Sequence, residues 1–129
     1  MKKIITFSIA SIIVSFAFGK KEKDKRENTA MKQYYFVMLT KGKNRTQDSS
    51  TAEQIQKGHL ENIGRLSEEG KLLVSGPFLD DGLWRGIFIF DLKDATEVEK
   101  VLQTDPAITS GRLAYEIHPW MTRKGTVFK

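Results

Sequence analysis

The order in which the chain changes its hydrophobic period limits its fold more tightly than any single motif. Gln33 to Leu39 (QYYFVML) is rich in aromatic residues and apolar without a break after Gln33, which suits a central strand. Thr40 to Ser50 is polar and turn-rich and reads as a loop. Ser50 and Glu53 then form an S-x-x-E capping box, predicting a helix from about Thr51 to Glu69, with Gly70 free to take the left-handed conformation that ends it. Two further strands follow, Lys71 to Gly76 and Gly86 to Leu92, separated by a loop containing Pro77, Asp80, Asp81 and Gly82. A second capping box, Asp94 with Glu97, opens a short helix with Ala95, Val98, Val101 and Leu102 on one side, which ends before Pro106. Arg112 to Trp120 is a last strand whose alternation places Leu113, Tyr115 and Ile117 on one face.

This order, β-α-β-β-α-β, is that of ferredoxin-like α+β folds: a four-stranded antiparallel sheet with two helices on one face. The second face of such a sheet also needs cover. Phe36 or Tyr35, Phe88 or Phe90, and part of the last strand supply bulky side chains for it, so a homodimer through the sheet faces is expected.

The start of the chain has a different character. Residues 1–19 combine two lysines, an apolar run from Ile4 to Phe18, and Ala17 with Gly19 in the minus-three and minus-one positions of a signal-peptidase site. A secretory signal peptide cleaved near Gly19 is expected, and with it a secreted or periplasmic protein. The apolar run is shorter than the roughly 20 residues a spanning helix needs, so no stable membrane insertion is expected after cleavage. The chain has no cysteine, which rules out a lipid-anchored lipoprotein and any disulfide.

The net charge of +5 does not indicate nucleic acid. Residues 20–30 form a charged linker in which Lys20 to Glu27 holds five bases and three acids, whereas residues 31–129 carry 14 Lys and Arg against 13 Asp and Glu. The basicity belongs to the leader and linker, and the expected domain, 31–129, is nearly neutral.

Within the first helix one residue breaks the pattern. At 100° per residue, Ile55, Leu66, His59, Ala52 and Ile63 fall at roughly 0, 20, 40, 60 and 80° around the axis, so His59 occupies the centre of the apolar face. A histidine there is either a core residue bonded to a backbone carbonyl or part of a site. The topology gathers three polar segments at one end of the fold: the Thr40 to Ser50 loop, the Pro77 to Gly82 loop, and Thr104-Asp105-Pro106. One or more of Asp80, Asp81 and Asp105 can therefore reach His59. A carboxylate bonded to one ring nitrogen would fix its tautomer and leave the other nitrogen to act as a general base.

These residues also carry a resemblance. His59-Leu60, Gly70-Lys71-Leu72, Ser75-Gly76-Pro77-Phe78 with Asp80 and Asp81, Arg85-Gly86-Ile87, Asp105-Pro106 and the closing Glu116 to Trp120 together resemble the YCII-related family of small α+β proteins, over about Met31 to Gly125. The resemblance implies a dimeric ferredoxin-like α/β barrel with a His/Asp site, here His59 with Asp105. On that scaffold the chemistry implied is proton abstraction from a small cyclic or carbonyl compound, of lyase or isomerase type. Asp80, Asp81, Arg85 and Phe78 would then contact the substrate.

A non-catalytic small-molecule-binding or accessory domain is the alternative. No cofactor is expected: Gly42 lacks the spacing of a phosphate loop, and no nucleophile elbow surrounds a serine. A metal is not expected either, because His118 is the one other histidine and its alternation points it away from the core-facing Ile117.

Overall fold

Residues 30–129 are described by the computed structural model, so the expected leader and all but the last residue of the expected linker lie outside the described residues. The elements, in chain order, are β1 (Met31–Lys41), α1 (Ser49–Glu68), β2 (Leu72–Pro77), β3 (Trp84–Phe90), α2 (Ala95–Leu102), α3 (Pro106–Thr109) and β4 (Leu113–Arg123). The strands form one sheet in the order β2-β3-β1-β4, with β3 antiparallel to both β2 and β1. This is the ferredoxin-like arrangement that the order of periods predicts.

The described residues fall into two compact units, Gln33–Met121 and a second that holds residues 30–32 and 122–129. In the second unit the Lys124 N–H donates to the Ala30 carbonyl at 2.8 Å. The core and the site described below belong to Gln33–Met121.

The strand register decides which aromatic residues face the helices. Tyr35 pairs with Phe90 and Val37 with Phe88, so these side chains share a face, and together with Leu39 they pack against Leu66, Val98, Leu102 and Ile108. Burying side chains of this size contributes about 1.5–3 kcal/mol each. The alternate residues Tyr34, Phe36, Met38, Ile87 and Ile89, with Val74 opposite Ile89, occupy the other face. The second face is therefore supplied by Tyr34 and Phe36, and Phe88 and Phe90 belong to the helix side. On β4, Leu113, Tyr115 and Ile117 pack toward the core as their alternation requires.

The helix ends differ from expectation in two informative ways. The cap of α1 is Asp48, whose carboxylate accepts the Thr51 N–H at 2.8 Å, and Ser50 lies inside the first turn. A charged acceptor at the positive end of a helix outcompetes a hydroxyl two residues later. Pro106 does more than stop a helix. It stands at the start of α3, where its missing N–H has no cost, and Asp105 is the cap of that helix. The remaining two ends follow the sequence: Asp94 accepts the Glu97 N–H at 2.9 Å, and Gly70 has φ 69° beyond the end of α1.

Candidate active site

His59 reaches the interior because α1 turns one face to the sheet, and the buried residues of that face are His59, Asn62 and Leu66. Its ring lies 6.1 Å, centroid to centroid, from the ring of Phe88 at an angle of 29°, and its Nδ1 is 2.7 Å from Oδ2 of Asp105. Asp105 is completely buried. Its other oxygen, Oδ1, accepts the Ala107 N–H at 2.8 Å, the bond that caps α3. One carboxylate thus ends one short helix and holds the histidine of another. Because a carboxylate only accepts, the Nδ1–H of the neutral imidazole is the donor, and Nε2 is left with its lone pair.

Two features bring the pair together. Gly58 faces α3, and a Cβ at that position would lie 2.7 Å from Cγ of Pro106, so α1 and α3 approach as closely as they do because residue 58 has no side chain. On the next turn, Arg65 Nη2 donates to Asn62 Oδ1 (2.7 Å) and to Thr104 Oγ1 (3.0 Å), which ties α1 to the residue preceding Asp105.

His59 also lines a cavity of about 390 Å³ between α1, the sheet and the start of β4, with Phe88 and Ile63 among its apolar walls and Arg45, Arg85 and Arg112 around it. Among the described residues no protein group bonds Nε2, and no buried side-chain nitrogen is left without a partner, so Nε2 is accessible on a residue that lines that cavity. The His–Asp pair therefore stands at the wall of a cavity of small-molecule size.

The other expected site residues are placed as follows. Arg85 lines the cavity, and its Nη1 donates to Asp81 Oδ1 at 3.1 Å. The Asp81 carboxylate, 94% exposed, also lies 3.3 Å from Lys41 Nζ. The bonds from Lys41, and then its charge and that of Arg85, lower the pKa of Asp81 from its ordinary value. Asp80 is exposed in the same loop, and Phe78 lies against Trp84 at 6.3 Å. Asp80, Asp81 and Phe78 are outside the cavity lining. The structure therefore brings Asp105, and neither loop aspartate, to His59. His118 is exposed and lies 3.4 Å from Glu116, and among the described residues no group of three or more His, Cys, Asp or Glu side chains is placed to hold a metal ion.

Sequence reasoning missed Asn62, Arg45 and Arg112. Asn62 had a signal, since at 100° per residue it falls about 20° from Ile55, on the apolar face. The two arginines had none: each reads as an ordinary surface charge in a polar stretch.

Fold and site together define a small ferredoxin-like α+β protein with a buried His–Asp pair opening on one cavity. The chain belongs to the YCII-related domain family, whose profile matches residues 34–121. The uncharacterized protein YjpA of Bacillus subtilis (strain 168) is 28% identical over 91 residues, covering 70% of this chain and 99% of YjpA. Among solved structures, the chain is similar in fold to the 5-chloro-2-hydroxyhydroquinone dehydrochlorinase TftG of Burkholderia phenoliruptrix AC1100, in complex with 2,5-dihydroxybenzoquinone. That match has a TM-score of 0.51 and 21% identity, over 67% of this chain and 92% of that one. Muconolactone isomerase is similar with a TM-score of 0.57 and 16% identity, over 74% of this chain and 96% of that one.

Proposed function

We propose that the protein is an exported acid/base catalyst of lyase or isomerase type that acts on a small molecule in the His59 cavity. The observation that carries this reading is the 2.7 Å bond from the Nδ1 of His59, a residue that lines the cavity, to the buried Asp105. Nε2 takes a proton from an acidic C–H of the bound compound, and the resulting imidazolium is balanced by the Asp105 carboxylate. Return of the proton to another carbon gives isomerisation. Loss of a leaving group from the adjacent carbon gives elimination. Both are chemistries named for proteins of similar fold, a dehydrochlorinase and an isomerase.

Arg85 is the expected substrate contact that this reading retains, with Asp81 orienting it. Asp80 and Phe78 stay at the loop outside the cavity and take no part.

The test is solvent-deuterium exchange into a panel of small cyclic and carbonyl compounds, followed by proton NMR. The expected result is exchange or conversion of at least one compound, reduced about 10²- to 10⁴-fold in His59→Gln. Binding without any exchange, unaffected by His59→Gln, would replace this reading with that of a non-catalytic binding domain.

A further inference from the structure

The charge around the cavity is more selective than its shape. Of the five arginines between residues 30 and 129, three (Arg45, Arg85 and Arg112) line this one cavity. Among the described residues no lysine and no carboxylate does. Neutral oxygens hold two of the three: Arg45 Nη1 donates to the Arg112 carbonyl at 2.7 Å, and Arg112 Nη1 to Gln47 Oε1 at 2.9 Å. Arg85 shares its one carboxylate, the exposed Asp81, with Lys41. Burial, and then the charges of Arg112 and Arg85, lower the pKa of Arg45 from its ordinary value, with the Asp81 carboxylate acting in the opposite sense. Three guanidiniums thus line a common space with no carboxylate in its wall, an arrangement that suits an anion placed between them.

The arginines are held in place by backbone. Gly42 N–H donates to the Arg112 carbonyl (2.9 Å), Asn44 N–H to the Gly111 carbonyl (3.0 Å) and Asn44 Nδ2 to the Ser110 carbonyl (3.0 Å). The loop after β1 is therefore fastened to the start of β4, which fixes Arg45 beside Arg112. Most of the remaining side chains of the lining are apolar, including Leu39, Ile55, Ile63 and Phe88, with Gln56 and Ser75 as polar exceptions, and the His59 ring lies against that of Phe88.

We infer that the ligand of this cavity is a small organic carboxylate, its anionic group bound by Arg45, Arg85 and Arg112 and its apolar ring or chain lying against Phe88 and Ile63, within reach of His59. A cavity of about 390 Å³ is at the small end of ligand sites, which suits a single-ring or short-chain acid. An inorganic or phosphoryl anion would leave the apolar walls unused. The inference rests on reading the His59 cavity as the ligand site, and it holds whether or not His59 turns the ligand over.

The test uses the full chain and four probes in isothermal titration: benzoate, cyclohexanecarboxylate, the neutral isostere benzamide, and inorganic phosphate. The carboxylates should bind at least about tenfold more tightly than benzamide, with an affinity that falls as salt rises. Arg45→Gln, in an exposed loop, should weaken benzoate about tenfold or more, and Arg45→Lys should recover part of the loss. Circular dichroism confirms that each variant keeps its fold. Equal binding of benzoate and benzamide, no effect of Arg45→Gln and Arg112→Gln, or phosphate displacing benzoate at equal concentration would overturn the assignment. The titration needs no turnover, so failure of this inference and failure of the catalytic reading are seen in separate experiments.

Discussion

At the residue scale the account depends on Asp105, which performs two tasks with two oxygens. Asparagine can do one of them. In Asp105→Asn the amide oxygen can still cap α3 through the Ala107 N–H, because asparagine caps as well as aspartate. The amide nitrogen then faces His59 as a donor, which reverses the tautomer and puts the proton on Nε2. The variant is expected to fold and to lose about 10²- to 10⁴-fold in turnover, measured in the exchange assay against wild type. Asp105→Ala, which removes both the helix cap and the partner of His59, should in addition cost about 2–4 kcal/mol in urea unfolding. The place of His59 was legible because a polar ring interrupted an apolar stripe. Topology narrowed its partner only to three aspartates, since which carboxylate arrives depends on how Pro106 starts α3, and it was the family resemblance that pointed to Asp105.

At the scale of elements, the contact of α1 with α3 is tight at one point. Alanine at position 58 would gain up to about 1 kcal/mol of helix propensity, but its Cβ would meet a proline ring that cannot rotate away, and overpacking of that kind costs about 1–3 kcal/mol. Gly58→Ala is therefore expected to be destabilising in urea unfolding and to reduce activity by separating His59 from Asp105. The start of α1 gives a cleaner contrast. Asp48→Ala should lower the melting temperature, and Ser50→Ala should leave it unchanged.

The Thr51 backbone bond lowers the pKa of Asp48. A depressed folded pKa means stability that is present above the unfolded value and lost as pH falls through the folded one. The gap between wild type and Asp48→Ala should accordingly shrink in acid, measured by thermal melts across pH. The element types were readable from their periods, whereas the cap was not, because Asp48 and Ser50 both have capping side chains and sequence alone does not rank them.

At the scale of the whole molecule, the sheet's second face carries Tyr34, Phe36, Met38, Ile87, Ile89 and Val74. We propose that a second copy of the chain covers this face. Sedimentation equilibrium is expected to give twice the chain mass, and Phe36→Asp to give the monomer, because a charge at the centre of an interface of about 800 Å² per partner is not solvated. The β-α-β-β-α-β order made the topology legible, but Tyr34 to Leu39 is apolar without alternation, so only the register to β3 decides which aromatic residues face which side. Export is likewise a proposal from residues 1–19, checked by mass spectrometry of the mature N-terminus, expected just after Gly19.

The central claim is that Asp105 holds His59 with Nδ1 protonated and Nε2 bare toward the cavity. A long-range proton–nitrogen NMR spectrum of the His59 imidazole, recorded where the ring is neutral, reads this directly. The account predicts a protonated Nδ1 and an unprotonated Nε2 in the wild type, reversed in Asp105→Asn. A wild-type His59 protonated on Nε2, or one whose spectrum is unchanged in Asp105→Asn, would contradict it.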